Sequence, residues 1–297
     1  MAVFLLGNGI NLLEGAAPDW TGLVNRVRER LQISEPFCHG ERETSMTLGF
    51  ERFALNAMRS DALLRDKHIK HAIQRELNAC GVPADWAKRD TLHRWLLGQN
   101  VTDILTTNYD YLLECAAAPD FRPRHTTTET AYSLRRRQQV SVDGQPRRIW
   151  HIHGELRTPR SICLGFEQYM GALQRIRSYL TESVPNGFRL GRILAGDEDE
   201  TAAENWCHLF FTQDVHIIGF GLDYSETDIW WLLNYRARAM LTEELDIENH
   251  ICFYDTNPPD PYKRGLLTSF GVEYLSFAEG SYPERYAALR KALAERL

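Results

Sequence analysis

Val101-Thr102-Asp103-Ile104-Leu105-Thr106-Thr107-Asn108-Tyr109-Asp110 decides how this chain is read. A short apolar run ends in an amide and a carboxylate. An apolar run of that length, bounded by turn residues, is the pattern of a buried strand. The arrangement recurs on either side. Gly7-Asn8-Gly9-Ile10-Asn11 follows the strand-like Val3 to Leu6, and His153-Gly154 follows the strand-like Ile149 to Ile152. Further short apolar runs lie at Val215 to Ile218, Ile251 to Tyr254 and, more weakly, Val272 to Leu275. Strands separated by helical stretches predict an α/β fold with a Rossmann-like, mostly parallel sheet. Asp143-Gly144, between Val142 and the strand at Ile149, predicts a hairpin leading into that strand.

Helical spacing fills the gaps. Ile69, Ile73 and Leu77 share one face, and Gly81 is placed to end that helix. Ile229, Leu232, Leu233, Ala237 and Met240 mark a second helix, and Tyr286, Leu289, Leu293 and Leu297 a terminal one. The chain is expected to be a single domain, 1–297. Two helical insertions, at about 34–99 and 167–204, are expected to form a smaller module. Within the second, Gly196 to Glu200 is polar and acidic and reads as a loop.

Bulk properties narrow the function. The 297 residues are 43% hydrophobic, enough for a large core. A net charge of −6 gives no general attraction to phosphate backbones, so direct nucleic-acid binding is not expected. Arg135-Arg136-Arg137 and Arg147-Arg148 flank the hairpin turn and are expected on its solvated face. Cys38, Cys80, Cys115, Cys163, Cys207 and Cys252 are widely spaced, with neither zinc-ribbon nor redox-pair spacing. Met1 to Leu6 reads as a strand rather than a signal peptide, and no run reaches the length of a membrane span. The expectation is a cytoplasmic protein without a membrane partner.

Ligands of open α/β sheets bind outside the carboxyl ends of the strands. The polar turns at three such ends are therefore expected to form one site, and their contents suit a dinucleotide. Gly7 and Gly9 permit a tight turn whose N–H groups can meet a pyrophosphate, although the full Gly-x-Gly-x-x-Gly pattern is broken by Leu12. A tight turn with no ligand is the plainer alternative. Gly219-Phe220-Gly221 repeats the arrangement, with Ser225 and Asp228 as helix-cap candidates. Asn108 offers a neutral donor and acceptor for a ribose hydroxyl or a water. Asp110 can fix that loop or cap the helix that follows it. His151 and His153 are two residues apart on the expected strand and so share a face, a pair that could ligate metal, but no third ligand has recognisable spacing, so no metal is expected. His153 stands at a strand end beside a glycine, and its ordinary pKa of about 6.5 suits proton transfer.

Together these motifs resemble the sirtuin-like family: a first glycine turn, a Thr-x-Asn-x-Asp element, a His-Gly and a late glycine turn, in that order. Asp19-Trp20-Thr21-Gly22-Leu23 and Ser161-Ile162-Cys163-Leu164, followed by Tyr169, also look like segments of bacterial members. The resemblance implies a Rossmann-type sheet and a helical module with NAD, the substrate, bound between them. It implies that Asn108 holds the nicotinamide ribose or the attacking water and that His153 is the general base. Gly7, Asn8, Gly9 and Asn11 would serve the nicotinamide and pyrophosphate side, Gly219 and Gly221 the adenosine half, and Asp255 the adenine or its ribose, with Thr107 and Asp110 also among the residues that bind the dinucleotide. Protein-deacylating sirtuins carry two close cysteine pairs for zinc, which are missing here, and have alanine where this chain has Asn8. The chain looks closer to sirtuin-like NAD hydrolases of bacterial antiphage systems, of the Thoeris effector type. That implies cleavage of NAD to nicotinamide and ADP-ribose, with control by homo-oligomerisation or by a separate activator or defence-system protein. The alternatives are an NAD-dependent deacylase or ADP-ribosyltransferase, and a non-catalytic nucleotide-binding assembly subunit.

Overall fold

Alternation of side chains builds the core. Along β1 (Ala2–Leu6), Val3 and Leu5 enter one apolar cluster while Phe4 and Leu6 enter another on the opposite face. A strand apolar on both faces belongs inside a sheet covered on both sides. The computed structural model describes residues 2–33, 45–184, 187–197, 205–242 and 245–297. The other strands are β2 (Asp103–Thr106), β3 (Arg137–Val142), β4 (Gln145–His151), β5 (Ser183–Val184), β6 (Gly187–Phe188), β7 (Asp214–Ile218), β8 (Ile251–Asp255) and β9 (Val272–Ser276). Seven of them form one sheet in the order β3-β4-β2-β1-β7-β8-β9, and β5 pairs with β6 separately. Every pairing in the large sheet is parallel except β3 with β4. The fold is α/β and Rossmann-like, as the strand pattern predicts.

Helices cover both faces. Phe166–Leu180, Thr227–Leu241 and Pro261–Ser269 pack on the side of Val3 and Leu5, through Ile176, Leu232 and Leu267 among others. Leu92–Leu97, Leu112–Ala117 and Tyr282–Ala294 pack on the side of Phe4 and Leu6, through Leu96, Leu113 and Leu289. A third cluster lies apart from the sheet faces. It joins the helices Trp20–Arg30, Met46–Ser60 and Asp66–Cys80 through Val24, Phe53 and Ile73, with Leu156 and Leu164 from the loop after β4. From 45 to 99, the described part of the first expected insertion holds helices and no strand. Residues 34–44, and 198–200 of the expected polar loop, lie outside the described residues.

Several details differ from the sequence reading. β2 starts at Asp103, not Val101, whose N–H is turned back onto Gln99 O at 2.8 Å; the buried Asp103 carboxylate accepts from Trp150 Nε1 at 2.7 Å and pairs with Arg148 at 2.6 Å. β4 ends at His151 rather than Ile152, and the chain turns there with Gly154 N donating to His151 O at 3.2 Å. His151 and His153 therefore do not continue one strand face. Of the hairpin arginines only Arg135 is exposed. Arg136 is buried and pairs with Glu155 at 3.0 Å, Arg147 Nε donates to Leu97 O at 3.0 Å, and the Arg137 guanidinium stacks 4.8 Å from the Trp150 ring centre. Leu297 lies beyond the last helix and is exposed, because that helix ends at Ala294.

β1 is the point from which the chain builds outward in both directions, with β2 on one side and β7 on the other. Above it the turns after β1 and β7 touch. Gly7 N donates to Ile218 O at 3.0 Å and Gly9 N to Gly219 O at 2.7 Å. A Cβ on Gly7 would sit 2.5 Å from Phe220 Cα, and one on Gly9 would overlap the Tyr286 hydroxyl and lie 2.8 Å from Gly219 O. Gly9→Ala should therefore lower stability by about 1–3 kcal/mol through overpacking, read by chemical denaturation. A variant as stable as the wild type would show that these turns have room to separate.

Candidate active site

A cavity of about 330 Å³ opens over the carboxyl ends of the parallel strands. Its floor is built from the turns after β1, β2 and β7, and its opposite wall from Trp20, Leu23, Met46 and Leu77 of the helical cluster. Asn8, Gly9, Thr107, Asn108, Asp110, His153, Gly219 and Gly221 all line it. Gly7, Asn11 and Asp255 are not among its lining residues. Gly7 lies behind the floor, in the contact with Ile218 and Phe220. Asp255 is buried and accepts from Tyr274 Oη at 2.8 Å, while its neighbours Thr256 and Asn257 reach the cavity.

Asn11 is a pin between loops. Its amide donates to Asp110 Oδ2 at 2.9 Å and Asn8 Oδ1 at 3.1 Å, and its carbonyl oxygen meets His93 Nε2 at 2.7 Å. Burial drives the His93 pKa down to about 3, so the ring is neutral and donates from Nε2. Asp110 also accepts from Leu112 N at 3.0 Å, so it holds the loop; the N-cap of the helix that follows is Tyr111, not Asp110. Burial raises its pKa.

Asn108 sits on the cavity floor with Nδ2 donating to Gly7 O at 3.3 Å. A carboxamide has two N–H groups and a carbonyl, so one such bond leaves capacity for a ligand. From below, His151 Nδ1 lies 3.0 Å from Asn108 O, and His151 Nε2 lies 2.8 Å from Glu114 Oε1. Burial opposes the imidazolium, but Glu114 outweighs it and the pKa of His151 is pushed up to about 9. The ring thus donates from both nitrogens, fixing the backbone that carries Asn108.

His153 belongs to a different cluster. Its Nε2 lies 2.9 Å from Asp228 Oδ2, and its Nδ1 lies 3.5 Å from the Tyr169 hydroxyl and 3.8 Å from Glu226 Oε2. Asp228 sits in the first turn of the Thr227–Leu241 helix, where Oδ1 accepts from Ile229 N at 2.9 Å and the helix dipole favours a carboxylate. Burial opposes charge on His153, but Asp228 and then Glu226 overcome it, so its pKa is raised. Gly154 follows with φ +98°, and a Cβ there would overlap the Ser161 carbonyl, so the turn that presents His153 needs a glycine. His153, Glu226 and Asp228 also bring three potential metal-ligand atoms within 4.8 Å of one another.

A family model for the SIR2-like domain matches residues 102–275. The chain belongs to the SIR2-like family. No curated protein matches it. The match runs from the threshold of β2 through the Asn108 turn, His153 and the Gly219 turn to β9, and so spans much of the cavity floor. NAD-dependent activity is usual in the SIR2-like family. Among the described residues no helix is long and apolar enough to cross a membrane.

Sequence reasoning missed some of the residues in this SIR2-like site. Glu226 has no motif to mark it, and Asp228 reads as a helix cap until the fold brings His153 to it. Ser225, the other cap candidate, instead donates its hydroxyl to Asp223 Oδ1 at 2.6 Å. Glu114 looks like an ordinary helical acid, yet it is fully buried as the partner of His151.

The His151–Glu114 pair gives a signed pH effect. The folded pKa of about 9 exceeds the unfolded value of about 6.5, so this stabilisation is complete below about 6.5 and is lost as pH rises through about 9. Wild type should lose more unfolding free energy between about pH 7 and about pH 9.5 than His151→Gln/Glu114→Gln, in which neither group titrates. Parallel pH dependences in urea titrations would show that the ring is neutral in the folded protein.

Proposed function

We propose that this SIR2-like protein hydrolyses the bond between nicotinamide and ribose in NAD, giving nicotinamide and ADP-ribose. The observation that carries the reading is the meeting of Asn108 and His153 at one cavity over the point where strand order divides. The lining supports it in kind. Glycine turns approach from β1 and β7, Thr256 and Asn257 follow β8, and a hydrophobic wall faces them.

The chemistry asks for orientation more than for force. Nicotinamide departs as a neutral molecule from a cationic ring, and positive charge passes to the sugar as the bond breaks. Asn108 orients the ribose or the incoming water. His153 and its carboxylate partners take the water's proton. Tyr109, held by its hydroxyl to the Cys163 carbonyl, and Tyr169 enclose the reacting region. The nucleotide lies against the lining turns, with Gly7 and Asn11 supporting the loops that touch it and Asp255 supporting Thr256 and Asn257. Homo-oligomerisation, a separate activator and a role in antiphage defence belong to the same reading, as does a cytoplasmic location without a metal.

Purified protein, alone and with cell extract as a source of activator, should release nicotinamide from NAD, measured by chromatography. Asn108→Ala and His153→Ala should each lower the rate by about 10²–10⁴-fold while circular dichroism stays that of wild type. Folded variants with undiminished turnover would remove both residues from the mechanism. Nicotinamide release that depends on an acylated peptide would favour the deacylase reading instead, and NAD binding without turnover the assembly subunit.

A further inference from the structure

The His153 cluster contains more acid–base capacity than a single base requires. Asp228 Oδ2 accepts at Nε2, and its other oxygen is engaged by Ile229 N. A hydrogen therefore stands on Nε2, and Nδ1 is the nitrogen that gains or loses a proton. The groups facing Nδ1 are the Tyr169 hydroxyl and Glu226. Glu226 Oε2 is buried, has no hydrogen-bond partner among the described residues and lies 3.8 Å from Nδ1. Its side chain is 17% exposed while that of His153 is 2% exposed, and both residues line the cavity. The exposed part of the Glu226 side chain faces the cavity, while Oε2 itself is buried against the ring.

We infer that His153 and Glu226 act as one proton-accepting pair, holding a single proton at rest, on Nδ1 or on the Glu226 carboxyl, and taking a second from the attacking water, with Asp228 as the positioning residue that holds the ring. This rests on the NAD-cleavage reading. As the water oxygen bonds to the sugar carbon, the carbon–nitrogen bond breaks and its electron pair goes to nicotinamide, which leaves neutral. The water's proton goes to the pair, which becomes an imidazolium beside a neutral carboxylic acid, with the Asp228 carboxylate as counter-ion. That proton then passes to solvent.

The surrounding groups agree with this assignment. Burial first, and Asp228 after the opposing effect of His153, raise Glu226 to about 7. Burial pushes Tyr109 and Tyr169 well above the ordinary phenol value and Cys163 up to about 12, so these neighbours stay neutral. Asp223 adds negative charge on the side of the preceding loop.

Two measurements on the full chain test the pairing. In nicotinamide release from NAD, Glu226→Gln should lose about 10²-fold or more near neutrality and change the acid limb of the pH–rate profile, with Glu226→Asp recovering part of the loss. In NMR of ring-labelled histidine, the midpoint of His153, assigned by its loss in His153→Gln, should fall in Glu226→Gln. A Glu226→Gln protein within about threefold of wild-type turnover and with an unchanged profile would overturn the proposal, as would an unmoved His153 midpoint. If wild type releases no nicotinamide under any condition, the NAD-cleavage reading fails, and the titration alone decides whether the two groups titrate as a coupled pair.

Discussion

The close contact of two strand-end turns sets the geometry of this molecule. Where β1 meets β7, Gly7 and Gly9 give their amide hydrogens to the backbone of Ile218 and Gly219. These are the groups that a glycine turn commonly presents to a phosphate. Here they hold the two halves of the sheet's upper edge together. Tyr282 Oη donates to Gly9 O at 3.2 Å from the C-terminal helix and closes the far side of the contact. The glycines are needed for proximity first, and the surface left exposed above them, at Asn8, Gly9, Gly219 and Gly221, becomes the cavity floor.

Buried charge is the second constraint. An isolated ion inside a protein costs far more than a paired and hydrogen-bonded one. Each imidazole near the site meets that condition differently. His93 stays neutral and donates to Asn11; His151 is charged between Glu114 and the Asn108 carbonyl; His153 is held against Asp228. Arg136, Gln138 and Tyr111 all converge on the fully buried Glu155, which anchors the start of the loop carrying Leu156 and Leu164 toward the helical cluster. Polar groups with fixed partners make the loops rigid without secondary structure.

The strands were legible because burial on both faces leaves continuous apolar runs, and their turns were legible because glycine, asparagine and histidine stand at their ends. Helices such as Asp66–Cys80, capped at Gly81, followed from spacing alone. Pairing between distant side chains was not legible. Nothing local distinguishes the buried Arg136 and Arg147 from solvated arginines, or Glu226 from any acid near a helix start. Asp255 shows the limit in miniature: a carboxylate at a strand end looks like a ribose ligand, but Tyr274 on the adjacent strand occupies one oxygen and Asn257 N donates to the other at 2.9 Å.

The two carboxylates beside His153, Glu226 and Asp228, bear on the proposed chemistry through their position, not through charge alone. NAD presents a cationic ring, and carboxylates close to that ring would stabilise the bound substrate and the departing group's initial state. Only interactions that strengthen on the way to the transition state accelerate the step. As the glycosidic bond breaks, positive charge leaves the ring nitrogen and appears on the sugar. Carboxylates on the sugar side therefore help, and those on the nicotinamide side hinder. Under the proposed assignment Asp228 and Glu226 accompany His153, the group that faces the sugar carbon and its water, while the neutral Asn108 is left to orient the substrate. An amide there adds hydrogen bonds without adding a charge that would hold the cationic ring in place.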